Sequence, residues 1–326
     1  MYEDRFGLTG RPFALTPDPD FWFESGTHRR AMAYLSYGLN QAEGFVVITG
    51  EIGSGKTTLL RRLMASLDAD RMRVVSLVST QLGADDTLRS VAGELGVGGG
   101  DKAAVIASTT RALQNEAREG RRVLLIVDEA QNLALDAVEE LRMLSNIQLG
   151  PDPLVQIVLV GQPELRERLN ADPAMEQVRQ RVIATHHLGP MEADEVGPYL
   201  RHRLSIVGWT GRPEFKDDAV ARIDRWAGGL PRLVNVLAQR IMMAAAIDDT
   251  DTINEELVER VVADLGRDDV AASASTRSST VDETAGLQAL EARVEAQDRV
   301  LRQVLTLLID WLQPEPASTE RLRGVA

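Results

Sequence analysis

The chain of 326 residues has no cysteine, which excludes disulfides, thiol chemistry and thiolate metal sites. That suits a reducing compartment, and a cytoplasmic protein is the expectation. It has only four histidines, which argues against a histidine-based metal centre. A charged-then-apolar N-terminal signal is missing as well. The longest apolar runs, Leu154 to Val160 and Val304 to Ile309, fall far short of the roughly 20 residues a membrane helix needs. Basic residues are in deficit, 36 against 49 acidic ones, for a net charge of −13. That balance speaks against a globally basic nucleic-acid binder and leaves at most a local basic patch. The remaining composition, 44% hydrophobic and 26% charged, is that of an ordinary globular protein, and the length suits two domains with a tail.

One stretch organises the rest. Phe45 to Thr49 is apolar and β-branched; Gly50, Glu51, Ile52, Gly53, Ser54, Gly55, Lys56, Thr57 and Thr58 follow, and then a helix-forming run from Leu59. The pattern G-x-x-x-x-G-K-[ST] is complete and sits between a strand and a helix. Its glycines let the backbone curl so that N–H groups converge on phosphate oxygens, and the helix N-terminus favours the same anion. Lys56 can reach the β- and γ-phosphates, and the Thr57 hydroxyl can ligate Mg²⁺. The loop is expected to bind ATP.

The second half of such a site stands further on. Val123 to Val127 is a continuous apolar run, as expected of a parallel strand covered on both faces, and it ends in Asp128 and Glu129. Asp128 would join the Mg²⁺ shell and Glu129 would polarise the attacking water. Further strands are expected at 73–78, 155–160 and 182–188, and helices at 28–40, 101–119, 136–145 and 166–180. A helix near 88–95 would be capped by Asp85 or Asp86. Gln162, at the end of the 155–160 strand, either contacts the γ-phosphate or the water, or is a plain turn residue. His186 and His187 lie on the last strand and read as structural. Five strands, with the phosphate loop after the first and the acids after the third, define an α/β P-loop NTPase with a five-stranded parallel core.

The flanks are more varied. Residues 1–44 concentrate aromatics and prolines (FGLTGRPF at 6–13, TPDPDFWF at 16–23) in a chain that is only 4% aromatic. This arm either packs its rings on the 45–190 core or covers the base of the nucleotide. Residues 191–265 form a helical lid, with Pro231 at a helix first turn and Asn254 as an N-cap. Arg232, just inside the Pro231 helix, can reach the nucleotide from that lid. Residues 266–284 are rich in Ser, Thr, Ala and Asp and read as a flexible linker. At 285–313, Leu287, Leu290, Val294, Gln297, Leu301, Val304, Leu308 and Trp311 keep a 3-4 spacing, the signature of a coiled-coil helix that recruits copies or a partner. Residues 314–326 read as a disordered tail.

Together, GRPF, GEIGSGKTT, VDEAQNL, LRMLSN, VLVGQPEL, QRV, HRL and GGLPRLVN make the chain resemble the ExeA-like group of AAA+ ATPases over about residues 1 to 265. More narrowly it is similar to the ATPases that accompany exosortase/PEP-CTERM and exopolysaccharide export systems. The resemblance implies that Gln162 is the sensor-1 residue, Arg232 the sensor-2 arginine, and Arg181 or Arg179 the finger offered to a neighbouring subunit. It implies an oligomeric, Mg²⁺-dependent ATPase that energises or gates export, reaching the membrane only through partners. Two alternatives stand beside it: a nucleotide-switched adaptor with little turnover, and a DNA-associated ATPase of the MuB or TniB kind, for which the acidity gives no support.

Overall fold

The structure is a computed structural model and describes residues 2–16, 18–78 and 83–277. Five parallel strands form its centre: β1 (Phe45–Gly50), β2 (Met72–Val78), β3 (Arg122–Asp128), β4 (Val155–Gly161) and β5 (Val182–Leu188). Their spatial order is β2-β3-β4-β1-β5. β4 is thus inserted between the strand that ends in the acids and the strand that feeds the phosphate loop. The C-terminal ends of β3, β4 and β1 are neighbours, the place where ligands gather in open parallel sheets.

Alternation along each strand splits the core in two. Val47, Val75, Leu125, Val127, Ile157 and Leu159 face one side. There they meet Leu88 and Val91, Val105 and Leu113, Leu141 and Leu144, and Leu165, which come from helices Ala84–Glu94, Lys102–Arg118, Leu135–Ser145 and Pro163–Ala171. Val46, Ile48, Leu124, Ile126, Val158 and Val160 face the other side, against Leu35 of Gly26–Gln41 and Leu59 and Leu63 of Lys56–Ser66. A side chain buried this way contributes about 1.5–3 kcal/mol relative to exposure. The sheet is therefore covered on both faces, which is why its strands read as unbroken apolar runs.

Several local expectations are corrected. Asp85 and Asp86 do not cap their helix; they lie in its first turn, Gly83 takes the N-cap, and their carboxylates complement the helix dipole. The single helix expected over 166–180 is three pieces, Pro163–Ala171, a 3₁₀ turn at Pro173–Met175 and Glu176–Arg179. Pro173 cannot donate to a helical ladder, and Asp172 instead accepts from Ala174 N. The helix that begins at Glu255 runs to Arg277. The linker expected from residue 266 therefore begins as helix, and alanines at 271, 272 and 274 favour that state. The heptad stretch at 285–313 lies outside the described residues.

The sheet and the lid helices Ala193–Ile206, Asp217–Ala227 and Pro231–Ile247 belong to one compact unit, Met1–Val262, and a second unit begins at Ala263. Pro231 does open its helix, and Asn254 Oδ1 accepts from Leu257 N at 3.1 Å. The segment ahead of Pro231 is tightly seated. Gly229 has φ +70°, and a Cβ there would stand 2.3 Å from the Met191 carbonyl oxygen.

Candidate functional site

The phosphate loop leaves β1 and turns directly into the helix Lys56–Ser66. Its two central glycines have no room for anything larger. A Cβ on Gly53 (φ +87°) would lie 2.5 Å from Arg232 Cβ, and one on Gly55 (φ +98°) 2.6 Å from His28 Nε2. Lys56 is buried, and its ammonium donates to the Gly50 and Glu51 carbonyls at 2.7 and 3.0 Å. Burial pushes its pKa down, opposed by the negative charges of Glu129, Asp128, Glu51 and Glu164. Ser54 is buried in the same loop, and its Oγ has no hydrogen-bond partner among the described residues. A buried hydroxyl of that kind fits a site built for a further polar group.

Across the cleft, β3 ends at Asp128. The Thr57 hydroxyl donates to Asp128 Oδ2 at 3.4 Å, spanning 71 residues of sequence. Burial raises the Asp128 pKa, as does the neighbouring Glu129 charge, while the Glu129 N–H, Lys56 and Thr57 lower it. Glu129 has φ +53°, unusual for a residue with a side chain, and its N–H donates to Asp128 Oδ1 at 2.9 Å. Its carboxylate Oε2 accepts from Gln131 Nε2 at 2.6 Å and from Gln162 Nε2 at 3.4 Å. Gln162 is thus brought beside Glu129.

Gln131 is the residue that sequence reasoning passed over. It lies within the VDEAQNL run, but a glutamine after two acids carries no signal of its own. What marks it is Gly161, and only once the geometry is known: a Cβ there would stand 2.6 Å from Gln131 Oε1.

The lid closes the other side. Arg232 N donates to Gly53 O at 3.2 Å, so the lid helix touches the phosphate loop through backbone. An open cleft of about 220 Å³ is lined by Lys56, Thr57, Glu129, Arg232, Tyr199 and Asn235, together with Leu15, Asp18 and Phe21 of the arm. The two readings of the arm are therefore compatible: Phe13 is fully buried, while the residues just after it face the cleft. Arg203, buried on the lid helix Ala193–Ile206, fastens the arm. Its guanidinium donates to Pro12 O (2.5 Å), Ala14 O (3.2 Å) and Tyr199 OH (3.1 Å) and lies over the Phe21 ring at 4.6 Å. A smaller cavity beside the cleft is lined by Trp22, Phe23, His28, Met191 and Tyr199.

Two predicted residues are not brought to this cleft. Arg181 immediately precedes β5, whose far end pairs with Gly50. That separates it from the loop by a strand length, roughly 20 Å at 3.3 Å per residue. Arg181 is exposed, and its side chain has no hydrogen bond or ion pair among the described residues. Arg179 is occupied within its own chain, donating to Leu169 O and Asn170 O and pairing with Glu176.

Thr57 and Asp128 offer hard oxygen donors, the set Mg²⁺ prefers, and no cluster of three or more metal-ligating His, Asp or Glu exists among the described residues. The fit is to a cation held jointly with phosphate oxygens. No described helix is long and apolar enough to cross a membrane.

Comparison with known proteins agrees with this fold. Residues 39–169 match the AAA domain family. The chain has the fold of the P-loop AAA+ ATPases. Among solved structures it is similar to Cdc6p of Pyrobaculum aerophilum (TM-score 0.59, 18% identity, 74% of this chain and 67% of that one). It also resembles the Aeropyrum pernix ORC1 protein, solved in complex with DNA (TM-score 0.59, 19% identity, 82% and 72%). The A. pernix ORC2 protein, solved as ADPNP–ADP complexes, scores 0.57 at 18% identity over 79% of this chain and 72% of that one. At that identity the likeness is one of fold. In sequence the chain is similar to general secretion pathway protein A of Aeromonas hydrophila, 36% identical over 249 residues. The match takes in 75% of this chain but only 45% of that protein, so the chain spans less than half the length of its curated relative.

Proposed function

We propose that the protein is a Mg²⁺-dependent ATPase that works as an oligomer and energises or gates a secretion apparatus, of the exopolysaccharide-export kind in the narrower reading. The observation that carries the catalytic part is the 3.4 Å contact between Thr57 and Asp128, with Lys56 and Glu129 in the same cleft. Four groups that are useful together only for a metal-bound triphosphate converge from two distant stretches. Thr57 and Asp128 would hold Mg²⁺, which when bound draws charge from phosphate oxygens. Lys56 neutralises charge on the β- and γ-phosphates, exchanging its bonds to Gly50 and Glu51 for phosphate oxygens. Glu129 orients and polarises the attacking water, accepting its proton, while Gln162 holds the γ-phosphate side of the same frame. Arg232 reaches in from the lid, and Leu15, Asp18 and Phe21 of the arm cover the base. Arg181, exposed and far from its own cleft, suits a finger given to a neighbour. Secretion rests on the similarity to the A. hydrophila protein, and a copy or partner bound through the 285–313 heptads would complete the assembly.

The deciding experiment is Glu129→Gln. ATP binding, followed with a fluorescent nucleotide, should persist while phosphate release stops. Turnover equal to the unaltered protein would remove Glu129 from the mechanism.

A further inference from the structure

The amide of Gln131 lies between the two groups that would meet the reacting phosphate, and it uses both of its ends. Nε2 donates to Glu129 Oε2 at 2.6 Å, while Oε1 accepts from the backbone N–H of Gln162 at 3.0 Å. Its backbone is fixed too: Arg168 Nη1 donates to Gln131 O (3.3 Å) and Leu133 O (2.6 Å). Arg168 belongs to the helix that begins immediately after Gln162, so the turn carrying Glu129 and the end of β4 are tied twice. Gly161 leaves the room that this conformer needs, since a Cβ there would stand 2.6 Å from Gln131 Oε1.

On the basis of the ATPase reading above, we propose that Gln131 is a positioning residue that locks the Glu129 carboxylate and the Gln162 backbone into one rigid frame. A glutamine suits this place because the task needs a donor and an acceptor on opposite ends of one planar group. Glutamate would set carboxylate against carboxylate, and asparagine is one methylene too short to reach both. Without the amide, Glu129 keeps its charge, its unusual backbone and the longer bond from Gln162 Nε2 (3.4 Å), but loses the nearer donor, at 2.6 Å, that aims its carboxylate. A hydrogen bond to a charged group is worth roughly a factor of 10–100 when it is expressed only in the transition state.

The test uses the full-length protein with Gln131→Ala, Gly161→Ala and the pair. We expect kcat to fall about 10- to 100-fold in Gln131→Ala, with KM and fluorescent-ATP affinity unchanged within about twofold. Gly161→Ala should lower kcat by displacing the amide. In the Gln131→Ala background the same change should cost less, because of the two close atoms that remain Leu165 Cδ2 at 3.0 Å is the end of a flexible side chain and the backbone nitrogen of residue 131, at 3.3 Å, need give only slightly. Additive losses, or an unaltered kcat in Gln131→Ala, would overturn the proposal. A second readout does not depend on turnover: the Gln162 amide should lose protection from hydrogen exchange in Gln131→Ala while the β1 amides keep theirs. Unchanged protection at Gln162 would also overturn it. Failure of the ATPase reading is recognised separately, by the absence of phosphate release from ATP in the unaltered protein.

Discussion

His28 gives the sharpest test of the packing around the phosphate loop. The ring is buried between Trp22, whose edge meets it at 5.0 Å, and the Gly55 turn, and its Nδ1 bonds Ser25 Oγ at 2.7 Å. Burial pushes its pKa from 6.5 down to about 4, only partly offset by the Glu195 carboxylate. In the unfolded chain the ring titrates near 6.5. Between pH 6.5 and 4 the unfolded state therefore binds a proton that the folded state refuses, and stability falls as the pH falls. The full loss is about 3 kcal/mol below pH 4, at roughly 1.4 kcal/mol for each pH unit between the two titration points, and about 2 kcal/mol of it has gone by pH 5. His28→Asn keeps a partner for Ser25 Oγ but does not titrate. Denaturant unfolding from pH 7.5 to 5 should show the unaltered protein losing about 2 kcal/mol more than the variant, so the stability gap between the two narrows. Asp128 and every other titrating group are common to both proteins and cancel in the difference. A gap that stays constant across that range would refute the reasoning, because it would mean that the ring accepts its proton without leaving its packed position.

Three further outcomes follow from arginines placed differently. Arg203→Lys should destabilise the protein by about 2–3 kcal/mol, because a lysine cannot serve the Pro12 and Ala14 carbonyls and the Tyr199 hydroxyl together; the loss should appear in the unfolding midpoint and as faster proteolysis within residues 12–23. Arg181→Ala should lower the ATPase rate of the assembled protein by about 10³-fold or more without changing stability, and mixing it with Glu129→Gln subunits should restore part of the rate. Arg179→Ala should instead lower stability, since that side chain holds the Leu169 and Asn170 carbonyls; a rate loss confined to Arg179→Ala would reverse the two roles.

What could be read from the chain was whatever depends on periodicity and local chemistry. β1, β3 and β4 are covered on both faces, so their burial writes itself as FVVIT, VLLIV and VQIVLV, and the loop and acids that follow them need no tertiary knowledge. The helix starts at Pro231 and Asn254 are likewise local, a fixed φ in one case and a side-chain acceptor in the other. The misreadings have the same origin. The 166–180 segment has helical composition throughout, and only Asp172 and Pro173 redirect it; the two-residue pairings Gln148–Leu149 with Asp152–Pro153 and Glu214–Phe215 with Thr252–Ile253 are too short to leave a period. Gln131 and His28 could not be found because their importance lies in what opposes them. A glutamine near a helix start and a histidine on an amphipathic helix look ordinary until Gly161 and Gly55 are seen to have been left bare for them. The glycines of such a site therefore carry two constraints at once: Gly53 and Gly55 must bend the loop to positive φ, and they must also yield space to Arg232 and His28. Gly161 carries the second constraint alone. Its replacement by alanine isolates the effect of a close approach from that of backbone strain, which neither loop glycine can do.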